Sequence, residues 1–137
     1  MLNIEIGGKL YKIKFGYEPV LKERIISKMT KIGDLFEGDD VSPEAMEDAL
    51  LFIPEILLVG LQVSHQEFRY DYNTKAGKEI QLAKVYEIMD QYLSEGGDMF
   101  KIFEDMQNEM VNDSFLSSLL RKGKEAEKVE NASVQQN

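Results

Sequence analysis

The chain contains no cysteine and a single histidine, His65. The absence of cysteine excludes thiol catalysis and zinc sites with cysteine ligands, and it leaves the redox compartment open. A single histidine excludes a metal site with two histidine ligands. A Ser-His-Asp triad would have to use His65 itself, because the chain has no second histidine. At the end of an apolar run, His65 is better explained as a structural or surface residue than as a catalytic base. We therefore expect a protein that is not an enzyme and binds no cofactor.

Long apolar runs are also missing. A membrane-spanning helix needs about 20 apolar residues, and the longest apolar stretch, Ala49 to Val63, is interrupted by Pro54, Glu55, Gly60 and Gln62. Apolar side chains lie nearly all round this stretch, which is typical of a buried helix. We predict the central helix of a protein that does not enter a membrane.

Basic residues are outnumbered, with 16 lysines and arginines against 25 acidic residues and a formal charge of −9. Such a surface repels a phosphate backbone, so we expect no nucleic-acid partner. The N-terminus, MLNIEIGGKLYK, has no unbroken apolar core of a secretory signal. This favours a cytoplasmic protein.

A length of 137 residues suits one domain. We place that domain at residues 1–121. Residues 122–137 have almost no apolar content, so we predict a disordered polar tail.

Two alternating stretches flank Gly7-Gly8 at the start of the chain. Two glycines accept the positive φ angles of a tight hairpin turn. Closing the turn there sets Ile4 opposite Tyr11 and Leu2 opposite Ile13. The sequence thus predicts a β-hairpin with one apolar face, which must pack on helices to be stable.

Helical patterns fill most of the remaining chain. Apolar spacing predicts helices at about 18–31, from 43 onwards, at 81–94 and at 98–120. Residues 33–40 are interpreted as a loop, with Leu35 and Phe36 turned inwards, and Pro54 predicts a kink or break near residues 50–54. Asn112, Asp113 and Ser114 are candidates to interrupt the last helix. Residues 64–80 have no clear pattern beyond an extended stretch at 68–72 and a turn at 73–77. The predicted fold class is mainly α (α+β), an N-terminal hairpin packed on a bundle of four to five helices.

Metal binding has weak support. The acidic clusters Glu37, Asp39, Asp40 and Glu104, Asp105, Glu109 do not follow the spacing of a ligand loop, and a solvated acidic face explains them better. Asp71, Asn73 and Gly77 resemble part of a calcium loop, but Lys75 occupies a ligand position and Leu82 replaces the bidentate glutamate. We expect no metal site.

The last predicted helix carries an apolar stripe of Met99, Phe103, Met106 and Met110. Methionine-rich surfaces adapt to varied partners, although the same spacing suits core packing. The hairpin, the first helix and the 81–94 helix already suffice to cover the central helix, so the last helix is the one expected to spare an apolar face. These four residues are our predicted protein-binding surface, for an amphipathic helix or for self-association.

Three segments together resemble a known family. They are Ile4 to Gly16, IEIGGKLYKIKFG; Leu57 to His65, LLVGLQVSH; and Val85 to Leu93, VYEIMDQYL. The order of a short hairpin, this central helix and this later helix resembles the tail assembly chaperones of long-tailed, siphovirus-type phages of Gram-positive bacteria. The resemblance covers roughly residues 2–121.

The resemblance implies a function and partners. Family members are small acidic, mainly helical proteins encoded just before the tape measure protein, with a longer form made by ribosomal frameshifting near the C-terminus. It implies a chaperone that coats the tape measure protein, recruits tail tube protein in the host cytoplasm and is absent from the finished virion. The alternative is a bacterial adaptor or regulatory domain that binds one specific protein.

Overall fold

The computed structural model describes residues 1–38 and 42–119, and in them it is mainly helical with an N-terminal hairpin, as predicted. The predicted polar tail at 122–137, and Asp39 and Asp40 of one acidic cluster, lie outside the described residues. The elements are β1 (Leu2–Ile6), β2 (Lys9–Ile13), α1 (Tyr17–Lys22), α2 (Ile25–Glu37), α3 (Pro43–Leu61), a 3₁₀ helix (Gln66–Phe68), α4 (Lys75–Ser94) and α5 (Met99–Asp113).

The hairpin has the predicted register. Strands β1 and β2 are antiparallel, with Ile4 opposite Tyr11 and Leu2 opposite Ile13. Gly7 and Gly8 both have positive φ, 60° and 75°, as the tight turn requires. The apolar face therefore points at the helices, and Tyr11 and Ile13 are buried there.

Helix α3 is the centre of the fold. Its N-cap is Ser42, whose Oγ accepts a hydrogen bond from the Ala45 N–H at 3.1 Å, and Pro43 occupies the first turn. Every residue from Ile56 to Leu61 is buried. The helix runs through Pro54 without the expected break, because burial of the residues on both sides outweighs the lost hydrogen bond and the clash of the proline ring.

The predicted helix at 18–31 is wrong in its continuity. Helix α1 ends at Lys22 and α2 begins at Ile25, because Arg24 adopts a left-handed backbone with φ 52°. The break lets Glu23 turn towards α4, where its carboxylate binds Lys78 at 2.6 Å.

The predicted loop at 33–40 is also wrong in its first half. Helix α2 continues through Gly33 to Glu37 and is followed by the extended Gly38. Leu35 is half-buried against the core, and the Phe36 ring packs on Phe100 and Phe103. These tertiary contacts outweigh the low helix propensity of glycine.

The segment between α3 and α4 is short and ordered by side chains. The Arg69 guanidinium donates hydrogen bonds to the Gln62 and Val63 carbonyls at the end of α3, at 2.8 and 3.2 Å. Asp71 accepts from the Asn73 N–H, and α4 then begins at Lys75, earlier than the predicted residue 81. The predicted turn at 73–77 is thus mostly the first turn of a helix.

Helix α5 starts beside Asp98, as expected, and ends at Asp113. Ser114 has an extended backbone, so the interruption predicted near residues 112–114 is confirmed. The helix packs against α3 and β1.

Candidate functional site

The stripe predicted as the binding surface is part of the core. Phe103, Met106 and Met110 are buried, and Met99 is half-buried at the edge of the same cluster. The expected exposed stripe is therefore wrong at three of its four positions. The physical reason is that α3 has apolar residues on all sides, and α5 uses its own stripe to cover one of them. The part of α3 beyond Pro54 is buried as well, so it offers no alternative surface.

Exposed apolar residues collect at a different place. The end of α2, the first half of α3 and the start of α5 enclose an open groove of about 340 Å³, which we call the α2–α3–α5 groove. Its lining consists of Leu35, Phe36, Met46, Ala49, Leu50, Ile53, Asp98, Met99 and Phe100.

The groove has a buried floor and exposed walls. Ala49 and Ile53 are buried beneath it. Above them Met46 and Leu50 are each 51% exposed, Phe100 is 48% exposed and Phe36 is 41% exposed. Four large apolar side chains that converge while half in water form a surface typical of protein docking.

Local structure holds the aromatic wall in place. The rings of Phe36 and Phe100 lie 4.5 Å apart between centroids at 58°, a favourable tilted arrangement. The Asp98 carboxylate caps α5 by accepting the Phe100 N–H at 2.8 Å. The ring contact and the cap together restrict the positions of Phe36 and Phe100.

Acidic residues are neighbours of several lining residues in the sequence. Glu37 follows Phe36, Glu47 follows Met46, and Asp98 lines the groove itself. The nearest lysine in sequence, Lys101, lies 3.8 Å from Asp105 on the same helix. Asp98 is the only charged residue among the nine that line the groove, so the lining favours a partner with a basic residue beside its apolar ones.

A second cluster, the ionic network, joins elements away from the groove. Lys78 of α4 contacts Glu23 at 2.6 Å and Glu55 of α3 at 3.0 Å, and Lys28 of α2 contacts Glu55 at 2.8 Å. The Tyr70 hydroxyl donates to Glu23 at 2.8 Å. All its charges are paired, so it fits a structural role.

The pKa shifts in the network follow from this pairing. Burial works to raise the pKa of Glu23, but hydrogen bonds from Lys78 and Tyr70 outweigh it and hold that pKa below the ordinary value. Burial works to lower the pKa of Lys78, and the bonds to Glu23 and Glu55 raise it overall. Burial, with Glu23 next to it, raises the pKa of Tyr70 far above its usual range.

The contacts of His65 join parts of the fold to one another. Its Nε2 accepts the Lys12 N–H at 3.0 Å, and its ring packs near Tyr11 and Phe68. It thereby ties the outer edge of β2 to the end of α3. His65 does not line the α2–α3–α5 groove.

One buried carboxylate remains outside these clusters. Glu109 of α5 is buried beside the start of β1, and burial raises its pKa. The α-ammonium group of Met1, 3.8 Å away, opposes that rise. Across residues 1–38 and 42–119, no three acidic or histidine side chains converge in a way that could hold a metal ion.

Comparisons with known proteins give no relative. No family model, no curated protein and no solved structure matches the chain. In the parts of the chain that the structure describes, no helix has the length and apolar content needed to cross a membrane.

Proposed function

We propose that the chain is a non-enzymatic phage tail assembly chaperone, which binds the tape measure protein and keeps its apolar surface from aggregating. The observation that carries this proposal is the α2–α3–α5 groove, which offers Phe36, Met46, Leu50 and Phe100 to solvent on a folded domain. The resemblance of the hairpin and two helices to that chaperone family supplies the identity of the partner.

The shape and charge of the groove define what part of the partner fits. A groove between helices accepts one amphipathic helix, whose anchors recur at spacings of three and four. The Asp98 carboxylate, which lines the groove, matches a lysine or arginine beside those anchors. A tape measure protein is a long helical chain, so it can present such segments repeatedly.

Masking explains the need for a chaperone. Apolar helices that are exposed before tube subunits polymerise round them will associate with one another. A small acidic protein that covers them also adds negative charge, which keeps the complex in solution. Recruitment of tail tube protein to the coated chain is the further step that the resemblance implies.

The test uses neighbouring leucines of α3 as a matched pair. Leu50 lines the groove and Leu51 does not, although they are 51% and 54% exposed. The chain is co-expressed with the tape measure protein that the resemblance predicts to be encoded next to it. Leu50→Asp should weaken co-purification by about tenfold or more, as expected for a central anchor, and Leu51→Asp should bind like the wild type.

Melting temperatures of both variants should stay near that of the wild type, because neither leucine is in the core. Equal loss of binding in both variants, or none in either, would place the binding surface elsewhere. Binding of basic amphipathic peptides in the groove without any binding to the tape measure protein would favour the adaptor alternative.

A further inference from the structure

The outer edge of β1 presents unpaired backbone groups. In a hairpin closed by two residues, Ile6 and Lys9 form the first hydrogen-bonded pair, and such pairs then alternate with unbonded ones. Ile4 and Leu2 consequently bond to β2, whereas Asn3 and Glu5 direct their N–H and C=O groups away from it.

The same alternation on β2 confirms this assignment. The Lys12 N–H, opposite Asn3, points outwards and donates to His65 at 3.0 Å. The Lys14 N–H donates to the Gly60 carbonyl at 2.9 Å. The outer edge of β2 is thus engaged at Lys12 by His65 and just beyond the strand at Lys14 by Gly60 of α3, but within the described residues no group bonds to the outward backbone of Asn3 or Glu5.

We propose that β1 pairs with β1 of a second copy of this chain, antiparallel about a two-fold axis, which gives a four-stranded sheet across a dimer. An open strand edge is a template for another strand. In the register we assign, Asn3 lies opposite Glu5 of the other copy, Glu5 lies opposite its Asn3, and Ile4 lies opposite its Ile4. All four outward N–H groups and carbonyls on the two bonded pairs are then used.

Charge and backbone pairing together select this register among the three that put Asn3 or Glu5 in bonded pairs. Placing Glu5 opposite Glu5 sets two carboxylates directly across from each other, which is unfavourable. Placing Asn3 opposite Asn3 leaves the outward groups of Glu5 without a partner inside the strand. Only the register centred on Ile4 pairs both residues and keeps like charges apart.

The side chains on the inner face agree with this arrangement. Ile13 and Tyr11 of β2 are buried, yet Leu2 and Ile4 of β1 remain only half-buried. In the dimer, Ile4 meets Ile4 of the other copy and Leu2 meets its Ile6. The apolar face of the sheet then continues across the axis instead of ending at an exposed edge.

The first test uses the absence of cysteine in the chain. Residues opposite each other in an unbonded pair have Cα atoms about 4.5 Å apart, within the range that a disulfide spans. In the full chain, Ile4→Cys should form a cross-linked dimer in oxidised glutathione. Asn3→Cys should not, because its Asn3 counterpart is displaced along the strand.

The second test changes only an exposed side chain. The proposed dimer contains two pairs of residue 3 and Glu5, one on each side of the two-fold axis. Asn3→Lys places a lysine opposite Glu5 in both pairs, and Asn3→Glu places a glutamate there in both. Sedimentation equilibrium should show dimerisation stronger by about twofold to thirtyfold for Asn3→Lys and weaker by a similar factor for Asn3→Glu.

Three outcomes would overturn the proposal. The first is a wild-type chain that remains monomeric at a concentration on the order of 1 mM, where even a small strand interface associates. Cross-linking of Asn3→Cys in preference to Ile4→Cys would reject the register. Equal dimerisation of the two Asn3 charge variants would place the dimer contact away from β1. None of these results depends on the tape measure protein.

Discussion

Gly60 is a point of direct contact between the hairpin and the central helix. A methyl group added there would lie 2.6 Å from Cγ2 of Ile13 and 3.3 Å from the Phe15 ring. The Gly60 carbonyl also accepts the Lys14 N–H at 2.9 Å. Glycine therefore lets the backbone of β2 dock directly on α3.

Gly60→Ala should destabilise the domain by about 2 kcal/mol, because the added methyl group overpacks a buried contact. Gly33→Ala in α2 is the matched control. Its methyl group would meet only the side-chain amide of Gln107 at 3.9 Å, so alanine should raise stability by up to about 1 kcal/mol. Chemical denaturation measures both, and a change of the same sign in both variants would contradict the close approach at Gly60.

The sequence reveals the role of the turn glycines but not the role of Gly60. Gly7 and Gly8 stand between alternating strands, so their role in a turn follows from local pattern alone. Gly60 stands in an apolar helix, and its role depends on Ile13, which is far away in the sequence. No local pattern carries that information.

At the scale of elements, the ionic network holds helices from three parts of the chain. Lys78 bridges Glu23, after α1, and Glu55 of α3, and Lys28 of α2 binds Glu55. Removing one partner of such a partly buried set leaves the others with unpaired charge.

Lys78→Met should therefore lower stability by roughly 2 kcal/mol at neutral pH, between the values for surface and buried pairs. The lowered pKa of Glu23 gives stability that is present above its ordinary pKa of 4.5 and lost as pH falls through the folded value. The deficit of the variant should thus shrink in acid, since a protonated Glu23 needs no ammonium partner. Lys101→Met, at an exposed i,i+4 pair, should cost little at any pH, and a similar deficit for both lysines would contradict the network.

Element types were predictable from the sequence, and several boundaries were not. The hairpin and the start of α3 have strong local signals, in Gly7-Gly8 and in Ser42-Pro43. The break at Arg24 and the extension of α2 past Gly33 depend on distant partners, Lys78 of α4 and Phe100 of α5. Tertiary contacts decided these boundaries against local propensity.

At the scale of the whole molecule, the spare apolar surface could not be located from periodicity. The stripe of Phe103, Met106 and Met110 and the pair Met46 and Leu50 both have helical spacing. The two sets differ in what packs on them, and that depends on how helices α1 to α5 are arranged in space. One feature that pointed to the exposed apolar surface was the length of α3. Its first turns extend beyond the part that the hairpin covers.

The groove and the β1 edge have no residue in common, so the proposed dimer and the proposed partner helix should bind independently. The groove is built from α2, α3 and α5, whereas the dimer edge consists of β1 alone. We expect Leu50→Asp to dimerise like the wild type, and Asn3→Glu to bind the partner helix with unchanged affinity. Light scattering of the wild-type complex should show two chains with two helices, since dimerisation leaves both grooves open. One helix per dimer, or a loss of helix binding in Asn3→Glu, would show that the two surfaces are coupled.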